Sequence, residues 1–256
     1  MHYYFQNRRM TPADLPPTKA GKPRQRMDSK LAEEAGGVPG VTDYLNFVGD
    51  AGGLINWSMN IGVEAAIKVF DEDVNLDRLG NSQVWKGLAK AKGNELREEA
   101  AKEGTRIHEA VDGYLSGKIG LADDPVASTA QQQVSEMIQT LGLEGEKEYC
   151  FSNDVYGGTV DFLDEGRLYI LDWKSVDGDN PRDAKITDLA QLCAYARHFF
   201  DSTTVKMANV YLSRKTGEIL DTRWWNQDEQ QTGWDLFDLA VRVRRMYREF
   251  KKENEG

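Results

Sequence analysis

The chain has 256 residues, 40% of them hydrophobic, and a formal net charge of -10, which is length and apolar content enough to fill the core of one large domain. No run of about 18 apolar residues occurs, and the polar start MHYYFQNRRM lacks the apolar stretch of a signal peptide, so the sequence reads as a soluble, cytoplasmic protein with no membrane segment. Two cysteines, Cys150 and Cys193, lie far apart without CxxC or Cys/His spacing, which supports neither a zinc site nor an iron–sulfur cluster and suits a reducing compartment.

Residues 1–26 carry Pro12, Pro16, Pro17 and Pro23 among basic and polar neighbours with no apolar period, and read as a flexible basic arm. Residues 27–256 read as a single domain, helical over 40–142 and built on a sheet over 143–256. In GVPGVTDYL a turn leads into a helix capped by Thr42 or Asp43. LINWSMNIGVEAAIKVF continues helically, with Leu54, Trp57, Ile61, Ala65 and Val69 as core positions. From Val84 to Leu115 the pattern is again helical, with a break expected at Gly104. Thr105 then caps a second segment whose stripe is Ile107, Val111 and Leu115. STAQQQVSEMIQTLGL is a further helix stopped by Gly142.

The period then changes. EKEYCFS, GGTVDFL and RLYILDWKS are candidate strands, rich in aromatic and β-branched residues, with the last two joined by a turn at Asp164–Arg167. RDAKITDLAQLCAYARHFF is a helix, VKMANVYLS and EILDTRWW a second hairpin, and WDLFDLAVRVRRMYREFKK a closing amphipathic helix with a basic face. The order implies an α/β (α+β) fold with a mixed central sheet flanked by helices and a helical N-terminal half.

A two-residue turn between GGTVDFL and RLYILDWKS would pair Asp161 with Ile170 and Thr159 with Asp172, leaving Asp161, Asp172 and Lys174 on one face. The aspartates would then stand roughly 8 Å apart at Cα. A three-residue loop would reverse that parity. Two carboxylates so placed repel and call for a cation. Oxygen donors suit Mg²⁺ or Mn²⁺ better than Zn²⁺, and a lysine beside them can counter charge developing on a phosphate. The net acidity of the chain argues against a nucleic-acid partner. Against that, carboxylates at a metal site count as negative, and basic residues are concentrated in KAGKPRQR and RVRRMYREFKK.

In order and spacing, GTRIH, GGTVD, ILDWKS and QLCAY resemble the motifs of the PD-(D/E)XK nuclease superfamily, in its RecB-like exonuclease branch. They are similar to those of the mitochondrial genome maintenance exonucleases and their phage-encoded relatives. The resemblance spans Gly104 to Tyr195 and implies a restriction-endonuclease-like core. It implies His108, Asp161 and Asp172 as metal ligands together with the backbone carbonyl of Trp173, and Lys174 as the catalytic lysine. Gln191 and Tyr195, one turn apart on a helix, would orient the lysine or bind a DNA phosphate. Glu146 would be the acid on the preceding strand, with Glu148 on the same face as the alternative. Asp112 would accept the ring N–H of His108. With two cysteines, the four-cysteine cluster of many such relatives is absent. The implied activity is Mg²⁺- or Mn²⁺-dependent DNA exonuclease action on single strands or duplex ends, in phage or bacterial DNA recombination, replication or repair, with DNA and recombination proteins as partners. The alternatives are a structure-specific endonuclease or nickase on the same fold, and a non-catalytic DNA-binding or assembly module. Trp224, Trp225 and Trp234 read as packing residues rather than base-stacking platforms, and His198 as a helix-end residue with no role.

Overall fold

The computed structural model describes residues 2–18, 20–48, 82–177, 184–200 and 205–254. The helix expected over LINWSMNIGVEAAIKVF lies outside them. The chain divides into two units, Met1–Gly49 with Ala110–Gly256, and Asp50–Glu109. The fold is mixed α/β, with six α-helices, one 3-10 helix, a five-stranded mixed sheet and a small antiparallel sheet among the described residues.

The N-terminal segment is not an arm. Strands β1 (Tyr3–Phe5), β2 (Arg8–Arg9) and β3 (Val38–Pro39) form a three-stranded sheet in the order β2-β1-β3. The prolines lie beyond it: Pro12 opens the 3-10 helix Pro12–Asp14. What orders the segment is aromatic burial. Tyr3 packs with Met10, Leu15 and Ala32, the last on α1 (Ser29–Glu34), and its hydroxyl donates to Glu33 at 2.8 Å. Helix α2 (Val41–Val48) follows β3 directly, so Thr42 and Asp43 sit inside its first turn rather than capping it.

Helix α3 (Ser82–Leu115) runs through Gly104 without interruption. One glycine costs about 1 kcal/mol in a helix interior, too little to end a helix whose flanking turns are otherwise well formed. Helix α4 (Pro125–Leu141) starts earlier than its apolar stripe suggests, because Asp124 accepts the Ala127 N–H at 2.8 Å and Pro125 occupies the first turn. It stops at Gly142, whose φ of 63° is left-handed.

The main sheet runs β4 (Glu146–Ser152), β5 (Gly157–Asp164), β6 (Tyr169–Val176), β7 (Lys206–Ser213), β8 (Ile219–Trp225), in spatial as in chain order. All neighbours are antiparallel except β6 and β7. Those two are parallel because α5 (Ile186–Phe199) crosses between them. Helices α2, α5 and α6 (Gln227–Asn254) pack against one another around Leu189, Leu192, Phe237 and Ala240, with Val160, Ile170 and Met207 of the sheet beneath. Helix α6 begins seven residues before the expected segment, in a reciprocal cap: Asn226 Oδ1 accepts the Glu229 N–H at 3.0 Å, and Glu229 accepts the Asn226 N–H at 3.0 Å.

The β5–β6 turn is longer than expected. Asp164 pairs with Tyr169, not Arg167, so the loop is Glu165–Leu168. Its shape comes from Asp164, whose carboxylate accepts the Arg167 N–H at 3.0 Å, and from Leu168 at a φ of 59°. Four loop residues preserve the side-chain parity of two but slide the strands by two residues. Leu163 therefore faces Ile170 and Phe162 faces Leu171, where the pairing ends.

Among the described residues no helix is long and apolar enough to cross a membrane.

Candidate functional site

Pairing between β5 and β6 stops at Phe162↔Leu171. One residue further, the Asp161 carboxylate takes the Trp173 N–H at 2.7 Å, satisfying a buried donor that strand pairing would otherwise use. Asp172 and Lys174 look toward α5, and Trp173 between them looks the other way, as strand alternation requires.

On the α5 side, four side chains close a hydrogen-bonded group. The Lys174 ammonium lies 2.7 Å from Asp172 Oδ2 and donates to Gln191 Oε1 at 3.0 Å. Gln191 Nε2 in turn donates to Asp172 Oδ1 at 3.2 Å and to the Tyr195 hydroxyl at 2.6 Å. Gln191 and Tyr195 reach this point together because they are one turn apart on α5. Tyr195 can lie against β5 because Gly158 carries no side chain, and Gly157 makes the same room for Tyr4. A Cβ on Gly158 would stand 2.7 Å from Tyr195 Cε1, and one on Gly157 2.4 Å from Tyr4 Cβ.

On the opposite side, the Trp173 indole donates to Asp112 Oδ1 at 3.2 Å. Glu148 lies near enough to Asp112 to raise its carboxyl pKa further. Glu148 has a left-handed φ of 51°, and the β4–β5 register sets it across from Asp161. A left-handed turn in a non-glycine residue costs about 1–2 kcal/mol. Here it interrupts the strand where the carboxyl groups meet.

These groups disturb one another's charge. Burial pushes the Asp112 carboxyl up to about 9, with Asp161 and Glu148 adding to the rise. Burial likewise drives Asp161 well above the ordinary carboxylate range, with Asp172 and Glu148 reinforcing the shift and Lys174 and the Trp173 N–H opposing it. For Lys174, burial works against the ammonium, but Asp172, Asp188 and Asp161 outweigh it and the net shift is upward. Burial and then Asp172 raise the Tyr195 phenol well above its usual value.

Of the residues singled out from sequence, Asp161, Asp172, Lys174, Gln191 and Tyr195 are brought together. Glu146 is not: it lies exposed at the start of β4 across from Leu163, and Glu148 stands beside Asp112 and Asp161 instead. His108 belongs to the unit Asp50–Glu109 rather than to the one carrying the strands. Asp112 gives its carboxylate to the Trp173 indole. Trp173 contributes its two N–H groups. Sequence reasoning missed Asn209, fully buried in β7, whose amide donates to Asp172 Oδ2 at 2.9 Å. The available signal was an amide inside the otherwise apolar run ANVYL. It also missed Asp188, a buried carboxylate that accepts the Tyr211 hydroxyl at 3.2 Å.

Among the described residues, no three His, Cys, Asp or Glu side chains are gathered closely enough to hold a metal ion as they stand. Asp172 is engaged instead by Lys174, Asn209 and Gln191. The donor chemistry nevertheless suits a hard divalent cation. Asp112, Glu148, Asp161 and Asp172 supply only carboxylate oxygens, and the upward shifts of Asp112 and Asp161 register the negative charge crowded there.

No protein-family model and no curated protein matches the chain. Among solved structures it is similar to a phage-related exonuclease from Haemophilus somnus 129PT, at 14% identity and a TM-score of 0.31, over 54% of this chain and 78% of that one. That is a distant structural likeness, and it bears on neither substrate nor chemistry.

Proposed function

We propose that this protein is a metal-dependent DNA exonuclease that hydrolyses phosphodiester bonds on single strands or duplex ends. The observation that supports this best is the Lys174–Asp172–Gln191–Tyr195 group set beside the buried Asp161. An ammonium held by a carboxylate and an amide, next to carboxylates that repel one another, suits binding and hydrolysis of a phosphodiester.

Asp161, Asp172 and Glu148, with the Trp173 carbonyl, are the groups that would hold Mg²⁺ or Mn²⁺. Such an ion, when bound, supplies Lewis acidity at the phosphoryl oxygens and neutralises charge there. Closing on an ion would draw Asp172 partly away from its present donors. Lys174, a quarter exposed, presents its remaining hydrogen to a phosphate oxygen or to the attacking water. Gln191 keeps the ammonium aimed, and Tyr195 keeps Gln191 in place. Water attacks phosphorus, the ester P–O bond breaks, the water's oxygen stays on the phosphate, and the departing oxygen takes up a proton.

The test is end-labelled single- and double-stranded DNA, blocked at either end, with Mg²⁺, Mn²⁺ or a chelator. Asp172→Ala and Lys174→Ala are expected to lower cleavage by at least about 100-fold while leaving the melting transition in place. Wild-type rates in either variant would remove these residues from the mechanism. Circular single-stranded DNA stays whole if ends are required. A second reading, a non-catalytic DNA-binding module, draws on the closure of Lys174 onto Asp172. Retention of DNA with no product in either metal would favour it.

A further inference from the structure

Asn209 lies in register with Asp172 of β6 on one side and Arg223 of β8 on the other, and its side chain is fully buried. The amide has two unlike ends, and both are used. Its oxygen accepts the Trp225 indole N–H at 2.8 Å, and its nitrogen donates to Asp172 Oδ2 at 2.9 Å. An indole nitrogen can only donate. Trp225 therefore decides which way round the Asn209 amide lies, and so which end meets Asp172. A reversed amide would set a donor against the indole and an acceptor against the carboxylate, at a side chain with no exposed surface.

Trp225 is itself held. The Arg223 guanidinium lies 4.8 Å above its ring and is ion-paired with Glu229 on α6. The neighbouring Trp224 belongs to the other face of the sheet, edge-on to Tyr169 at 5.9 Å. The path Trp225–Asn209–Asp172 thus crosses three adjacent strands on the face that carries Lys174.

We infer that Asn209 and Trp225 are positioning residues for Asp172, with the indole orienting the amide and the amide holding the carboxylate in the attitude the reaction uses. This rests on the proposed nuclease function. A buried asparagine that merely satisfies its neighbours would affect stability alone, whereas a positioning residue affects turnover at constant substrate affinity.

Trp225→Phe keeps the ring and removes the N–H, and Trp224→Phe makes the same change on the other face. The full-length variants are compared in cleavage of end-labelled single-stranded DNA with Mn²⁺, in thermal melts, and in hydrogen–deuterium exchange of the Asn209 side-chain amide. Trp225→Phe is expected to lower kcat by roughly 10–100-fold with KM unchanged and to speed amide exchange. Trp224→Phe is expected to change neither. Wild-type kcat and wild-type amide exchange in Trp225→Phe would overturn the inference, as would a loss of rate that only follows loss of folded protein. If the wild-type chain cleaves no nucleic acid, the nuclease function falls, and slow amide exchange that Trp225→Phe accelerates would still support the path to Asp172.

Discussion

The Trp173 indole and the Asp112 carboxylate meet at 3.2 Å, joining strand β6 to the last turns of helix α3. Asp112 is pushed up to about 9 from an ordinary 3.8, so in the metal-free protein it carries a proton at neutral pH. A folded-state value above the unfolded one contributes stability that is complete below about pH 4 and is lost as pH rises toward about 9. Metal-free protein should therefore become easier to unfold across that window. Asp112→Asn, which mimics the protonated acid, should flatten the decline by up to about 1.4 kcal/mol per pH unit. Urea unfolding at several pH values in chelator checks this, and an unchanged slope in Asp112→Asn would count against it.

A divalent cation should reverse the same trend. If it binds among carboxylates that are otherwise held protonated, stabilisation by Mg²⁺ or Mn²⁺ should grow with pH. It should reach about 2.7 kcal/mol at one hundred times the dissociation constant, and Asp161→Asn should largely remove it. Melting temperatures with and without metal, at about pH 6 and about pH 9, provide the comparison.

Gly158→Ala tests the seat of Tyr195. The added methyl would lie 2.7 Å from Tyr195 Cε1, and both the ring and the β5 backbone are buried, so the clash should cost about 1–3 kcal/mol. Because Tyr195 accepts from Gln191 at 2.6 Å, cleavage should fall with it. A variant with normal stability and normal rate would show that the ring moves freely.

The two thiols should differ in reactivity. Cys150 is half-buried, whereas Cys193 is fully buried and burial alone pushes its thiol up to about 12. An aromatic disulfide reagent at neutral pH should titrate Cys150 in the folded protein and reach Cys193 only after urea is added.

Much of this arrangement could be read from sequence because it rests on local period. Alternation in ILDWKS put Asp172 and Lys174 on one face, and helical spacing in QLCAY put Gln191 one turn from Tyr195. The features that escaped are those that local period does not encode. Glu146 fits the spacing to Asp161, and spacing does not encode the left-handed turn at Glu148. Asn209 joins the site through pairing across strands, and its partner Trp225 read as packing alone. The N-terminal strands were hidden by nearby prolines, although the aromatic run in MHYYF was the piece that mattered. Gly104 looked like a break, but a single weak helix former is overruled by its neighbours.

The four-residue bend at Glu165–Leu168 closes the hairpin without entering the ladder. An indel confined to it changes only the loop and leaves Asp164 opposite Tyr169. A single residue inserted within β6 instead turns every side chain beyond it to the other face, presenting Trp173 to α5 where a carboxylate now stands. Length variation should therefore be tolerated in the bend and lethal to function a few residues further along the strand.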